Sequence, residues 1–112
     1  MISIVICTHN GKDRLGACLH AIGTQENPPA FELIVVDNAS TDHTGDWSKE
    51  TLKAITPKIQ WKVIYEAKPG LLYARLAGLQ AAHFEWVLFC DDDNILFSDF
   101  LFQSEQVLSQ NS

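Results

Sequence analysis

Basic side chains are scarce in this chain. Eight Lys and Arg stand against fourteen Asp and Glu, for a formal net charge of −6 at pH 7. Binding nucleic acid through its phosphates needs a basic surface, so no nucleic-acid partner is expected. An acidic domain can still hold a phosphorylated small molecule when a metal ion supplies the positive charge. Cysteine is also sparse. Cys7, Cys18 and Cys90 are odd in number and widely spaced, which excludes a disulfide scaffold or a zinc or redox motif. They read as small buried hydrophobes in a reducing compartment. Long apolar runs are missing: Ile2 to Cys7 and Trp86 to Cys90 are the longest, far short of the roughly 20 residues that span a bilayer. No basic segment precedes a long apolar stretch near residue 1, so a signal peptide is not expected. The chain reads as a soluble cytoplasmic protein, with docking to a membrane surface left to sequence outside it. Internal repeats, low-complexity tracts and linkers are absent as well, and 112 residues suit one domain.

What is present is a regular alternation. Ile2-Ser3-Ile4-Val5-Ile6-Cys7 is a β-branched run and predicts a buried strand. Leu15, Cys18, Leu19 and Ile22 recur at helical spacing, and Pro28-Pro29 ends that helix. Leu33-Ile34-Val35-Val36 predicts a second strand. Ser40, Thr41 and Asp42 are helix-capping types and open a helix bearing Trp47, Thr51, Leu52 and Ile55, closed by Pro57. Trp61-Lys62-Val63-Ile64-Tyr65 alternates like a half-exposed strand. Pro69-Gly70 predicts a turn, and Leu72, Leu76 and Leu79 mark a third helix. Trp86 to Cys90 predicts a fourth strand, and Phe97, Phe100, Leu101, Val107 and Leu108 a fourth helix capped by Ser98. Four strands alternating with four helices imply an α/β fold, a mainly parallel open sheet with helices on both faces.

Ligands of such sheets bind beyond the carboxyl ends of the strands. Behind the four predicted strands come Thr8-His9-Asn10-Gly11, Asp37-Asn38-Ala39-Ser40, Glu66 with Lys68-Pro69-Gly70, and Asp91-Asp92-Asp93-Asn94. Most short polar clusters of the chain thus fall at one sheet edge. Three adjacent carboxylates repel one another, and a divalent cation removes that cost. Their hard oxygens suit Mg2+ or Mn2+. In an extended chain Asp91 and Asp93 point one way and Asp92 the other. A solvated acidic turn before a helix is the competing explanation. Asp37 can accept a hydrogen bond from a base or ribose, or make a side-chain turn with its own backbone. Arg75 can offer a fork of donors to phosphate, or remain a surface arginine. His9 is expected near the ligand with no proton-transfer role, because no Ser or Cys nucleophile partners it. His20, His43 and His83 form no metal-spaced set.

Together these residues resemble the N-terminal half of a family 2 glycosyltransferase with the GT-A (nucleotide-diphospho-sugar transferase) fold. The matching segments are the first strand with Thr8-His9-Asn10, Val35 to Asp42, Gly70 with Ala74-Arg75 and Gly78, and Leu88 to Asp93 followed by Asp99-Phe100-Leu101. Each is weak alone, and four in order on the right strand ends are specific. The resemblance covers essentially the whole chain. It implies that Thr8, His9, Asn10, Asp37, Asn38, Arg75, Asp91 and Asp92 lie at a nucleotide site, with Asp37 holding the base, most often uracil. Asp91 and Asp93 match the outer residues of the family's Asp-X-Asp motif and would serve the metal, Asp91 also on the sugar side. Asp92 takes the variable position. Two departures stand out: Asn94 where the family has another acid, and Leu76 where it often has asparagine.

The implied reaction is metal-assisted transfer of a sugar from a nucleoside diphosphate sugar, a UDP-sugar first, to a hydroxyl of a glycan or lipid-linked acceptor, with inversion. The general base belongs to the family's C-terminal half, so no residue of this chain is assigned to it. Residues 1–112 would then be the donor-binding part alone, inactive or weakly active by itself, with strand edge and apolar surface exposed. A module that binds nucleotide-sugar without turnover is the main rival. A sugar-1-phosphate nucleotidyltransferase would want a glycine-rich basic loop after the first strand, and a dinucleotide oxidoreductase Gly-x-Gly-x-x-Gly there. An Asp-nucleophile phosphatase would want its aspartates there too.

Overall fold

The structure is a computed structural model that describes residues 1–55 and 58–110. Eight elements follow in strict alternation: β1 (Ile2–Thr8), α1 (Lys12–Gly23), β2 (Phe31–Asn38), α2 (Thr44–Ala54), β3 (Gln60–Glu66), α3 (Leu71–Ala81), β4 (Trp86–Asp91) and α4 (Phe100–Gln110). All strand pairs are parallel, in the order β3-β2-β1-β4. The strands run further than the apolar pattern indicated. Thr8, Asp37, Asn38, Glu66 and Asp91 belong to strand ends rather than to loops. Their facing therefore obeys the two-residue period of the strand.

That period sorts the core into two layers. Ile2, Ile4, Ile6, Leu33 and Val35 pack with Leu15, Cys18, Leu19 and Ile22 of α1, Leu52 of α2 and Leu101 of α4. Val5, Ile34 and Val36 face the other way, onto Ala74 of α3. β1 and β2 are consequently apolar on both faces, as buried parallel strands are. Each such buried Leu or Ile contributes about 1.5–3 kcal/mol.

α3 forms where the leucine spacing indicated, but those leucines look outward, with Leu72 67% exposed and Leu76 and Leu79 about half. Its buried residues are Ala74 and Gly78. A Cβ on Gly78 would stand 2.4 Å from Val5 Cγ1. Close approach to the sheet thus selects small residues for the inner face. The outer strand β4 and the loop behind it also expose apolar side chains, Phe89, Ile95 and Phe97 among them.

Two helix caps differ from expectation. α2 starts at Thr44, whose amide bonds Asp42 Oδ1 at 3.0 Å, while Ser40 and Thr41 serve the neighbouring loop. At α4, Gln25 replaces the expected Ser98: its Oε1 accepts the Leu101 amide at 2.9 Å and its Nε2 donates to Phe97 O at 2.7 Å. The Ser98 carbonyl instead accepts the Glu26 amide. The expected stop at Pro57 lies outside the described residues. Among the described residues no helix is long and apolar enough to cross a membrane.

Candidate functional site at the carboxyl rim

β1 is the topological switch point. The chain leaves it toward β2 and β3 on one side and returns to β4 on the other. In open α/β sheets the ligand crevice forms at that position, outside the carboxyl ends. The register brackets the end of β1 between two acids: Thr8 lies opposite Asp37, and Cys7 opposite Asp91. The second-strand and fourth-strand carboxylates therefore share one rim.

Asp37 and its neighbour Asn38 line different cavities. Asp37 follows Leu33 and Val35 in facing the α2 side. Its Oδ1 accepts the Ser40 amide at 3.2 Å, and a Cβ on Gly45 of α2 would stand 2.6 Å from its Oδ2. It lines a cavity with Ser40, His43, Asp46 and Lys49. Asn38, one residue on, faces the opposite way. It lines a cavity of about 290 Å³ with Thr8, His9, Gly70, Leu71 and Ala74. The alternation of adjacent strand residues thus sends Asp37 and Asn38 to different cavities.

The cleft walls are held by their own side chains. Asn38 Nδ2 donates to the Glu66 and Lys68 carbonyls at 3.1 and 2.7 Å, and its Oδ1 accepts the Gly70 amide at 3.0 Å. This fastens the turn ahead of α3, where Gly70 adopts φ 131°, a conformation that side chains disfavour. His9 Nδ1 lies 2.7 Å from the Asn38 carbonyl and its Nε2 3.3 Å from Asn10 Nδ2. Those partners assign the neutral ring with its proton on Nδ1. Both ring nitrogens are engaged. Asn10 is left-handed at φ 50°. Its Oδ1 accepts the Thr41 amide at 2.8 Å, and its own amide donates to Ser40 Oγ at 2.9 Å.

Arg75 extends from α3 over the Phe89 ring, its guanidinium carbon 5.5 Å from the centroid. Among the described residues no carboxylate pairs with it. Its charge also reaches Cys7, where burial pushes the thiol up and Arg75 pulls it down, with burial prevailing.

The acidic triplet is not extended. The Asn94 amide bonds the Asp91 carbonyl at 3.2 Å and closes a turn, so strand alternation does not orient Asp93. Asp92 is drawn inward: Thr8 Oγ1 donates to its Oδ2 at 2.9 Å, and Arg14 Nε to its Oδ1 at 3.0 Å. Asp91 and Asp93 are exposed, and among the described residues their carboxylates make no hydrogen bond or ion pair. No group of three or more His, Cys, Asp or Glu among the described residues is arranged to hold a metal ion. Two unspent carboxylates still fit Mg2+ or Mn2+, which bind one or two carboxylates and take their remaining oxygens from phosphate and water. Arg14 is the participant that sequence reasoning missed. Its place one turn into α1 carries no signal that separates it from any solvated helix residue.

Residues 3–107 match the family model for glycosyl transferase family 2. The glycosyltransferase YwdF of Bacillus subtilis is 35% identical over 94 residues, 83% of this chain and 32% of that protein. The poly(ribitol-phosphate) beta-N-acetylglucosaminyltransferase TarS of Staphylococcus aureus is 28% identical over 95 residues, 84% of this chain and 16% of that protein. Among solved structures, TarS 1-349 in complex with UDP superposes with a TM-score of 0.86 at 26% identity, covering 97% of this chain and 32% of that one. The mannosyltransferase PcManGT from Pyrobaculum calidifontis, in complex with GDP-Man and Mn2+, gives 0.74 at 26% identity, covering 82% and 27%. The chain thus spans about a third or less of the length of these relatives. With a family match over nearly all its residues and a GT-A sheet ordered β3-β2-β1-β4, the chain belongs to glycosyltransferase family 2.

Proposed function

We propose that this chain is the donor-binding part of an enzyme that transfers a sugar from a nucleoside diphosphate sugar, a UDP-sugar first, to an acceptor hydroxyl with inversion. One observation carries the reading. Two exposed carboxylates without protein partners, Asp91 and Asp93, stand on the rim that also carries the cleft of Thr8, His9 and Asn38. Unpaired carboxylates two residues apart repel one another, and Asp91 and Asp93 would hold a divalent cation that relieves that repulsion. When bound, the cation offsets charge developing on the leaving diphosphate.

In this reading the nucleoside enters the Thr8–His9–Asn38 cleft, and Arg75 meets the phosphates or base from α3. The Asn10 side chain ties the β1 loop to the β2 loop. Asp37, whose Oδ1 accepts the Ser40 amide while the residue also lines the neighbouring cavity, is kept as the residue that holds the base. The UDP complex of TarS and the GDP-Man and Mn2+ complex of PcManGT support the binding of a nucleotide-sugar. Acceptor glycan or lipid-linked sugar, and any membrane surface, are assigned to sequence outside this chain.

Calorimetric titration with UDP and Mn2+ tests the reading. Native protein should bind only with the cation present, and Asp93→Ala should lose at least tenfold in affinity, about 1.4 kcal/mol. Equal, cation-independent binding by both would refute it. Transfer assays with UDP- and GDP-sugars then separate an enzyme from a module that binds without turnover.

A further inference from the structure

We infer that Arg14 is a positioning residue, clasping Asp92 so that the turn presents its two outer carboxylates to the cation; this rests on the reading above. The middle aspartate lies in a socket. Thr8 Oγ1 and Arg14 Nε take one oxygen each, at 2.9 and 3.0 Å. The socket abuts the N-terminus of α1, where negative charge is favoured. Gly11 precedes that helix, and a Cβ there would stand 2.0 Å from Thr8 Oγ1 and 2.7 Å from Asp92 Oδ2. Only glycine leaves room for the carboxylate.

Arg14 closes the arrangement from outside. Its two terminal nitrogens donate to the His9 carbonyl at 3.1 Å and to the Asn10 carbonyl at 3.4 Å. One planar group thus joins the loop after β1 to the turn after β4, across the switch point. Lysine, a point donor on a flexible stem, cannot make these three bonds together. Both Asp92 oxygens are used, so Asp92 supplies an anchor, and the unpaired oxygens in the triplet are those of Asp91 and Asp93. Partners outside the immediate ligands of a metal commonly tune affinity about 10–100-fold.

Charge and geometry predict opposite signs here, which makes the inference sharp. Removing a cation beside an acidic turn should tighten Mn2+ binding if Arg14 is an electrostatic bystander. Removing a clasp should weaken it. Mn2+ binding in the presence of UDP is followed by electron paramagnetic resonance of the free ion in native protein, Arg14→Ala, Arg14→Lys, Asp92→Ala and the Arg14→Ala/Asp92→Ala double variant. The clasp predicts about tenfold weakening in Arg14→Ala and little rescue by Arg14→Lys. It also predicts a double variant no weaker than the worse single one, because the two residues act through one contact.

Unchanged or tighter Mn2+ binding in Arg14→Ala, or additive losses in the double variant, would overturn it. A second measurement needs neither metal nor nucleotide. The Asn94 amide, which bonds Asp91 O, should exchange its hydrogen faster in Arg14→Ala than in native protein. Equal exchange sinks the clasp. Failure of native protein to bind Mn2+ and UDP sinks the functional reading instead.

Discussion

The two rims of the sheet treat their acids in opposite ways. At the amino rim Glu32 is 2% exposed and fully engaged. Its Oε2 accepts Ser3 Oγ at 2.7 Å and the His83 amide at 2.6 Å, and its Oε1 lies 3.0 Å from His83 Nδ1. Ser3 Oγ in turn accepts the Phe84 amide at 3.2 Å. One carboxylate therefore fastens β1, β2 and the α3–β4 connection. At the carboxyl rim three adjacent carboxylates are present, and only Asp92 is spent on protein partners. Satisfied buried acids hold a fold together, because leaving any partner bare costs the full desolvation of that group. Acids left without protein partners at an exposed turn cost repulsion and keep their oxygens open to solvent or a ligand.

The largest expected effect is at the amino rim. Glu32→Ala should destabilise the fold by about 3 kcal/mol, since it strands the Ser3 hydroxyl and the His83 amide. Urea unfolding measures this, and the folded fraction should bind UDP and Mn2+ with native affinity. A large loss of affinity with little loss of stability would break the division between the rims. The mirror case is Asp91→Asn. It should weaken Mn2+-dependent UDP binding about tenfold while leaving the urea midpoint equal or slightly higher, because one like charge has gone.

A pH titration sharpens the same contrast. Burial pushes the Glu32 carboxyl up, but hydrogen bonds from the His83 side chain and backbone and from Ser3 outweigh it and hold it below the ordinary value of 4.5. The unfolded chain then binds more protons than the folded one below that value. The Glu32 contribution is fully present above pH 4.5 and is lost as pH falls through the lower folded value. Native protein should lose stability there more steeply than Glu32→Gln. The smallest effect concerns backbone strain. Ala39 holds φ 54° beside Asn38, so Ala39→Gly should stabilise by roughly 0.5 kcal/mol once the unfolded-state entropy of glycine is counted. Thermal unfolding tests this.

Much of this was legible in the chain. β-branched runs and helical spacings located all eight elements, and polar clusters behind each strand located the rim. Facing was less legible. Leu72, Leu76 and Leu79 show α3 but not its inner side, which Ala74 and Gly78 occupy because the helix lies close to Val5. Asp37 and Asn38 read as one polar cluster, yet the strand continues through both and sends them to different clefts. Gln25 and Arg14 act across separations of 76 and 78 residues, beyond any local pattern.

Order along the chain determined the parallel alternating architecture and the rim on which the polar clusters gather. Periodicity and turn chemistry are local, and right-handed crossovers leave few ways to join such units. Which of three aspartates is spent and which two remain was decided only in three dimensions. Hydrogen bonds to Thr8 and Arg14 depend on distances between segments far apart in sequence, and no spacing in the chain encodes those distances.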